Sequence, residues 1–363
     1  MLKKIAAALA VTFQFMVLLY AEPVRAYFAD VPANDYEHVV HAAYDNDVLS
    51  IYTKKSNEDT LSHIKFDLIT GKTTIVKTET KPQLTCMNTV KTKDNLFYIY
   101  GQENKITVED SKGQICYSYI APDGYTPWKL YASPLKGAIH IMVIWLQQIP
   151  RDASFVWGKT VDTHKLVTHT IFNENDYAKT DTKSVYDTKI QKNCWSPEIL
   201  FDTYDDSIYF FTDQIEDNSL CNQYIDGVWK ENVIPWTKGI GEISFACDKD
   251  YIYYSSINGI SAYNKKTKKW KVMSSAKPEV QSGLKIIASG SGIYNYEIRK
   301  IEDPVTRVFT GLSILVTQIQ NSSITNYTHT IDDIQLWQSS FWIADAKHYM
   351  ICKTNKGILI LEM

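Results

Sequence analysis

Glycine is scarce in this chain, 15 residues in 363, which excludes collagen-like and other glycine-repeat fibres. After residue 26 no apolar run is long enough to cross a bilayer as a helix. There is no GxSxG elbow, no phosphate-binding P-loop, no HExxH and no glycine-rich dinucleotide turn, so the local signatures of the common hydrolases and nucleotide enzymes are missing. No CxxC pair or Cys/His cluster has zinc spacing. Basic clusters are missing as well, and the formal net charge is −3. A mildly acidic surface is a poor match for nucleic acid or an anionic membrane.

What the chain has in excess is aromatic: 24 Tyr and 9 Trp. These side chains suit strand surfaces that are apolar on one side and wet on the other. The first 26 residues are different in kind. Met1-Leu-Lys-Lys is a basic start, Ile5 to Tyr20 is an apolar run of 16, and Val24-Arg25-Ala26 sets small residues at −3 and −1 of a cleavage site. This is the pattern of a cleaved signal peptide, residues 1–26, ahead of a single exported domain, 27–363. Cleavage would remove Lys3, Lys4 and Arg25 against Glu22 and take the net charge from −3 to −5. No membrane span is expected after it. Six cysteines, Cys86, Cys116, Cys194, Cys221, Cys247 and Cys352, allow disulfides in an exported protein or small buried hydrophobes on strands. Cys86 and Cys116 are one candidate pair.

Gly241 to Met273 shows how the chain is built. It reads as four short strands, Ile243–Cys247, Tyr251–Ser255, Gly259–Tyr263 and Trp270–Met273, joined by polar turns. A four-stranded meander cannot bury both faces alone and needs neighbours of its own kind. Tyr- and Ile-rich second strands recur at Val48, Leu96, Ile139, Ile208, Ile252, Ile293 and Tyr349, spaced mostly 41 to 56 residues apart with one interval of 69. That period predicts the blades of an all-β propeller. Asp226-Gly227 is a strong hairpin turn between Cys221–Ile225 and Val228–Glu231. The last repeat supplies only three strands, so a fourth is expected from Tyr27–Val31, closing the ring by pairing the two chain ends. Seven blades is the leading count, with six or eight as alternatives because of the long interval. The excess in that interval is assigned to a polar insertion over 173–193.

Candidate site residues are aromatic. Trp128, Trp195, Trp236 and Trp337 fall in or beside connections that enter an inner strand, where they converge on the mouth of the central channel. Tyr125, Tyr177 and Tyr186 are placed in the same class of connection, and Glu198 and Glu242 open inner strands nearby. Flat rings with a few carboxylates suit sugars. Glu198 and Glu242 are also the candidates for an acid–base pair in glycoside hydrolysis. Trp229 and Trp270 start outer strands and read as scaffold. The acidic turns Asp45-Asn-Asp47 and Asp202 to Asp206 offer calcium only a weak site, without the alternating pattern of a dedicated loop. No cofactor is expected.

The repeat pattern resembles the exported β-propellers found in bacteria, across 27–363, at the level of architecture and without a WD or kelch signature. Separately, Phe28-Ala-Asp-Val-Pro-Ala-Asn-Asp-Tyr36 resembles the opening of a surface-layer homology motif, a family that anchors proteins to cell-wall polymers. The match spans nine residues and occurs once. Together these features lead to the expectation of an exported, non-catalytic binding module, periplasmic, cell-surface or extracellular, with a glycan or an envelope protein as partner. A carbohydrate-active enzyme with carboxylates at the propeller mouth is the alternative.

Overall fold

A computed structural model describes residues 25–29, 37–55, 59–148, 163–188, 197–212, 220–235, 243–256, 258–275, 283–289, 292–303, 305–306, 309–320, 323–334, 336–344 and 347–362. Its strands form seven four-stranded antiparallel sheets arranged as the blades of a ring. After a short strand β1 (Arg25–Ala29), blade one holds β2 (Glu37–Asp45), β3 (Val48–Lys55), β4 (Thr60–Asp67) and β5 (Thr73–Thr80). Blade two holds β6 (Leu84–Lys91), β7 (Leu96–Gln102), β8 (Lys105–Asp110) and β9 (Ile115–Ile120). Blade three holds β10 (Tyr125–Leu135), β11 (Ala138–Gln148), β12 (Thr163–Phe172) and β13 (Asp181–Asp187), and blade four β14 (Glu198–Asp202), β15 (Ser207–Thr212), β16 (Leu220–Ile225) and β17 (Val228–Lys230). Blade five holds β18 (Ile243–Cys247), β19 (Tyr251–Ser256), β20 (Gly259–Asn264) and β21 (Lys269–Ser274), and blade six β22 (Gly283–Ser289), β23 (Gly292–Glu302), β24 (Phe309–Gln320) and β25 (Ser323–Asp332). Blade seven takes β26 (Leu336–Ala344), β27 (Lys347–Thr354) and β28 (Gly357–Glu362), and its fourth strand is β1.

The composition of each strand follows its depth in the blade. A second strand is covered by its own sheet neighbours at its edges and by adjacent blades on both faces, so Ser207-Ile-Tyr-Phe-Phe-Thr212 is buried at every position. An outer strand has a free edge and one poorly covered face, so β25 is mostly exposed and rich in Thr and Ser. Asp226 and Gly227 take φ of 53° and 84°, the paired positive values of the hairpin turn their sequence predicts. β1 pairs with β28 from Arg25↔Glu362 to Ala29↔Ile358. The ring is therefore closed by its chain ends as expected, two residues earlier than Tyr27–Val31, and the cleavage site expected after Ala26 falls inside β1. Phe28 and Ala29 of the nine-residue surface-layer resemblance end this strand; the rest of it lies outside the described residues.

Each of the seven blade interfaces has its own buried apolar cluster. The one between blades seven and one joins Ile51 and Phe66 to Tyr349 and Ile360, and the one between blades two and three is built around Trp145. Trp229 and Trp270 pack in the neighbouring interfaces, against Tyr224 and Tyr263, as scaffold. Cys86, Cys116, Cys221, Cys247 and Cys352 are free thiols, so Cys86 and Cys116 do not pair; Cys194 lies outside the described residues. The polar stretch 173–193 is not a pure insertion. A 3-10 turn, Tyr177–Lys179, leads into β13, the outer strand of blade three. Among the described residues no helix is long and apolar enough to cross a membrane.

Candidate functional site

The first strand of every blade lines the axis, and neighbouring first strands are stitched by side chains because no backbone ladder joins one blade to the next. His41 and Thr89 share a 2.8 Å hydrogen bond, Asn88 donates to the Leu130 carbonyl, and the Ile286 amide donates to Ser244 Oγ at 3.1 Å. Near the start of four of these strands the register slips, at Val40, Thr85, Trp128 and Trp337. A bulge of this kind re-aims the extra residue and ends regular pairing.

Behind the bulge at Trp128 stands a polar cluster drawn from three blades. Lys129 Nζ lies 2.7 Å from Glu198 Oε1 and 4.7 Å from the centroid of the Trp128 ring. Tyr131 donates its hydroxyl to Glu198 Oε2 at 3.3 Å. Burial pushes the Tyr131 phenol well above its usual range, and the Glu198 charge adds to this. From across the bore Lys285, on β22, comes within electrostatic reach of both Glu198 and Lys129. Burial holds its ammonium below the usual lysine value, opposed by Glu198 and reinforced by Lys129. The Lys285 side chain has no hydrogen bond or ion pair among the described residues. Two ammonium groups thus act on one carboxylate, that of Lys129 directly and beside a Trp that is 39% exposed.

The other sequence candidates are dispersed. Tyr125 is buried in the core between blades two and three, its phenol pushed up to about 12 by burial and then by Asp187. Tyr186 is buried between blades three and four, edge-on to Phe210. Tyr177 stacks on Phe172 at 5.5 Å in the connection between third and fourth strands, which opens on the opposite face of the ring. Its assignment to the mouth fails because β13 follows it. Trp337 occupies a bulge equivalent to that of Trp128. Trp195, Trp236 and Glu242 lie outside the described residues. The acidic turns are engaged by lysines: Asp202 and Asp205 hold Lys265, and Asp45 holds Lys91 at 2.9 Å. Among the described residues no group of three or more His, Cys, Asp or Glu could hold a metal ion. Lys129, Tyr131 and Lys285 were not legible as site residues, since nothing local distinguishes a channel lysine from a surface one.

No family model matches the chain, and no curated protein does. Solved structures do. The WD40 domain of SCAP from fission yeast aligns with 94% of this chain and 91% of its own at 10% identity, TM-score 0.53. BBS1N, solved in complex with ARL6DN, aligns over 93% and 97% at 9% identity, TM-score 0.56. A prolyl endopeptidase aligns with 87% of this chain and 46% of its own at 11% identity, TM-score 0.50. At such identities the likeness is one of fold: the chain is a seven-bladed β-propeller.

Proposed function

We propose that this chain is an exported, non-catalytic binding module whose axial mouth takes an acidic glycan of the cell envelope. The observation that carries the reading is Lys285, a half-buried residue whose side chain has no hydrogen bond or ion pair among the described residues, within electrostatic reach of the Lys129–Glu198 pair. A bound carboxylate would restore the charge balance that burial makes unfavourable. Trp128 beside it supplies an exposed ring for the C–H face of a sugar. Glu198, held by Lys129 and Tyr131, acts in this reading as the anchor that orders the wall.

The test is calorimetric titration of the protein with oligogalacturonate and with a neutral cello-oligosaccharide of equal length. The acidic sugar is expected to bind and the neutral one to bind at least tenfold more weakly, with Lys285→Met removing the difference. Equal binding of the two sugars, or full binding by Lys285→Met, would refute the assignment; an acidic protein partner captured through Lys285 would replace the glycan.

A further inference from the structure

The wedge between blades one and two has the smallest buried apolar cluster of the seven among the described residues. Its buried apolar cluster, among the described residues, is Tyr52, Leu61, Leu84, Met87 and Tyr100, whereas the wedge between blades seven and one buries twelve such residues. Where aliphatic packing stops, a cleft of about 390 Å³ remains, within the range of ligand pockets. Its walls are electron-rich. Tyr52, Tyr98 and Tyr100 line it together with Glu79, Glu109 and His63. Tyr52 stacks on His63 at 4.5 Å, and burial keeps both the Tyr52 and Tyr100 phenols protonated far above neutrality, so they offer neutral rings and hydroxyls.

One ammonium already sits against three of these wall residues. Lys81, in the connection from β5 to β6, places its Nζ 3.3 Å from Glu109 Oε2, 3.9 Å from Glu79 Oε1 and 4.2 Å from the Tyr100 ring centroid. Two carboxylates and a π face around one ammonium make a cation receptor. The backbone of Lys81 is pinned, its amide donating to the Asp59 carbonyl at 2.8 Å, so exchange of its head group needs only side-chain rotation. The free volume is what remains with Lys81 in place. At the rim stand Lys65, Lys112 and Val76, the last 49% exposed on the outer strand. A partner chain lying there would meet basic groups and an apolar residue on either side of the cation receptor.

We propose that this cleft is a second binding site, on the flank of the ring, for a lysine side chain of a partner protein next to an acidic residue, with Lys81 as its built-in competitor. The receptor groups Glu79, Glu109 and Tyr100 take the incoming ammonium, and Lys65 and Lys112 meet the neighbouring carboxylate. The site is separate from the axial mouth, so Lys285→Met leaves it unchanged.

The experiment is titration of the full protein with the blocked dipeptide acetyl-Lys-Glu-amide and with its Nζ-acetylated form. The free amine is expected to bind to Lys81→Gln at least fivefold more tightly than to the unaltered protein, and the acetylated form to neither. Glu109→Gln should weaken binding tenfold or more, with near-UV circular dichroism showing that the fold is kept. Equal binding of the acetylated probe, no gain in Lys81→Gln, or no binding to Lys81→Gln at millimolar peptide each overturns the proposal. Should Lys81→Gln fail to fold, Tyr100→Leu serves as the second variant, and retention of full affinity there is equally fatal.

Discussion

His140 and His169 share a hydrogen bond of 2.9 Å between Nδ1 and Nε2, stacked within blade three and covered by Tyr224 and Trp229 from blade four. Burial lowers His140 to about 4, against the pull of the Leu135 carbonyl and Asp206. Burial and then the His140 charge lower His169 to about 3, with Asp181 opposing. His41, on the axis, is lowered to about 3 by burial. In the unfolded chain all three accept a proton near pH 6.5. Their folded values are depressed, so the stability they contribute is complete above pH 6.5 and is lost as pH falls towards 4. By pH 5 the loss is about 1–2 kcal/mol for each histidine. Urea denaturation at pH 7 and pH 5 measures it, and His140→Gln with His169→Gln should flatten the slope; equal stability at both pH values would contradict the assignment.

Asp202 is fully buried and ion-paired to Lys265 from blade five, whose ammonium also lies 3.2 Å from Asp205. Burial alone would lower the Lys265 pKa, but the two carboxylates hold it above the usual value. Lys265→Met would leave a carboxylate without its cation inside the interface between blades four and five. The expected cost is about 3–5 kcal/mol, read as a lower urea midpoint, with Lys265→Arg recovering part of it.

Gly101 sits where β7 passes Cys86 and Pro127. A Cβ there would lie 2.5 Å from Cys86 Sγ and 2.9 Å from Pro127 Cγ. Gly101→Ala should therefore cost about 1–3 kcal/mol through overpacking. Adding Cys86→Ala removes the nearer clash and should restore part of the melting temperature. A single variant as stable as the parent would show that blades two and three yield more readily than their packing implies.

The closure of the ring can be tested by length. A chain beginning at Tyr27 keeps Tyr27, Phe28 and Ala29 of β1 and the 3.2 Å hydrogen bond from Tyr27 to Glu362. A chain beginning at Asp30 keeps none of them and bares the edge of β28. The shorter chain is expected to melt earlier and to self-associate in size-exclusion chromatography, while the longer one stays close to the parent. Identical behaviour of the two would mean that β1 adds nothing to closure.

Much of the scaffold could be read from the chain because second strands, buried on both faces, carry dense Tyr, Ile and Phe. The strands of blade five were located to within a residue, from Ile243 to Met273. β13 was missed for the opposite reason. As an outer strand it buries only Tyr186 well, so Asp181 to Asp187 has the polarity of a loop. Trp128 and Glu198, both candidates from the sequence, lie on either side of Lys129. Lys285 joins them from β22 only through the curvature of the ring, which brings blades three, four and six around one bore. The cleft between blades one and two was hidden in plain repeats, since Tyr52, Tyr98 and Tyr100 look like the tyrosines of any second strand.

The sparse apolar packing between blades one and two has a mechanical consequence. In a repeat assembly, stability is close to a sum of nearest-neighbour couplings. A closed hoop of seven tiles that opens one seam becomes an arc with the other six seams intact. Opening therefore concentrates where coupling is weakest, and the lifetime of the hoop is governed by that seam instead of by the average. A partner seated in the wedge between blades one and two would add a rivet to a joint whose own apolar packing is sparse.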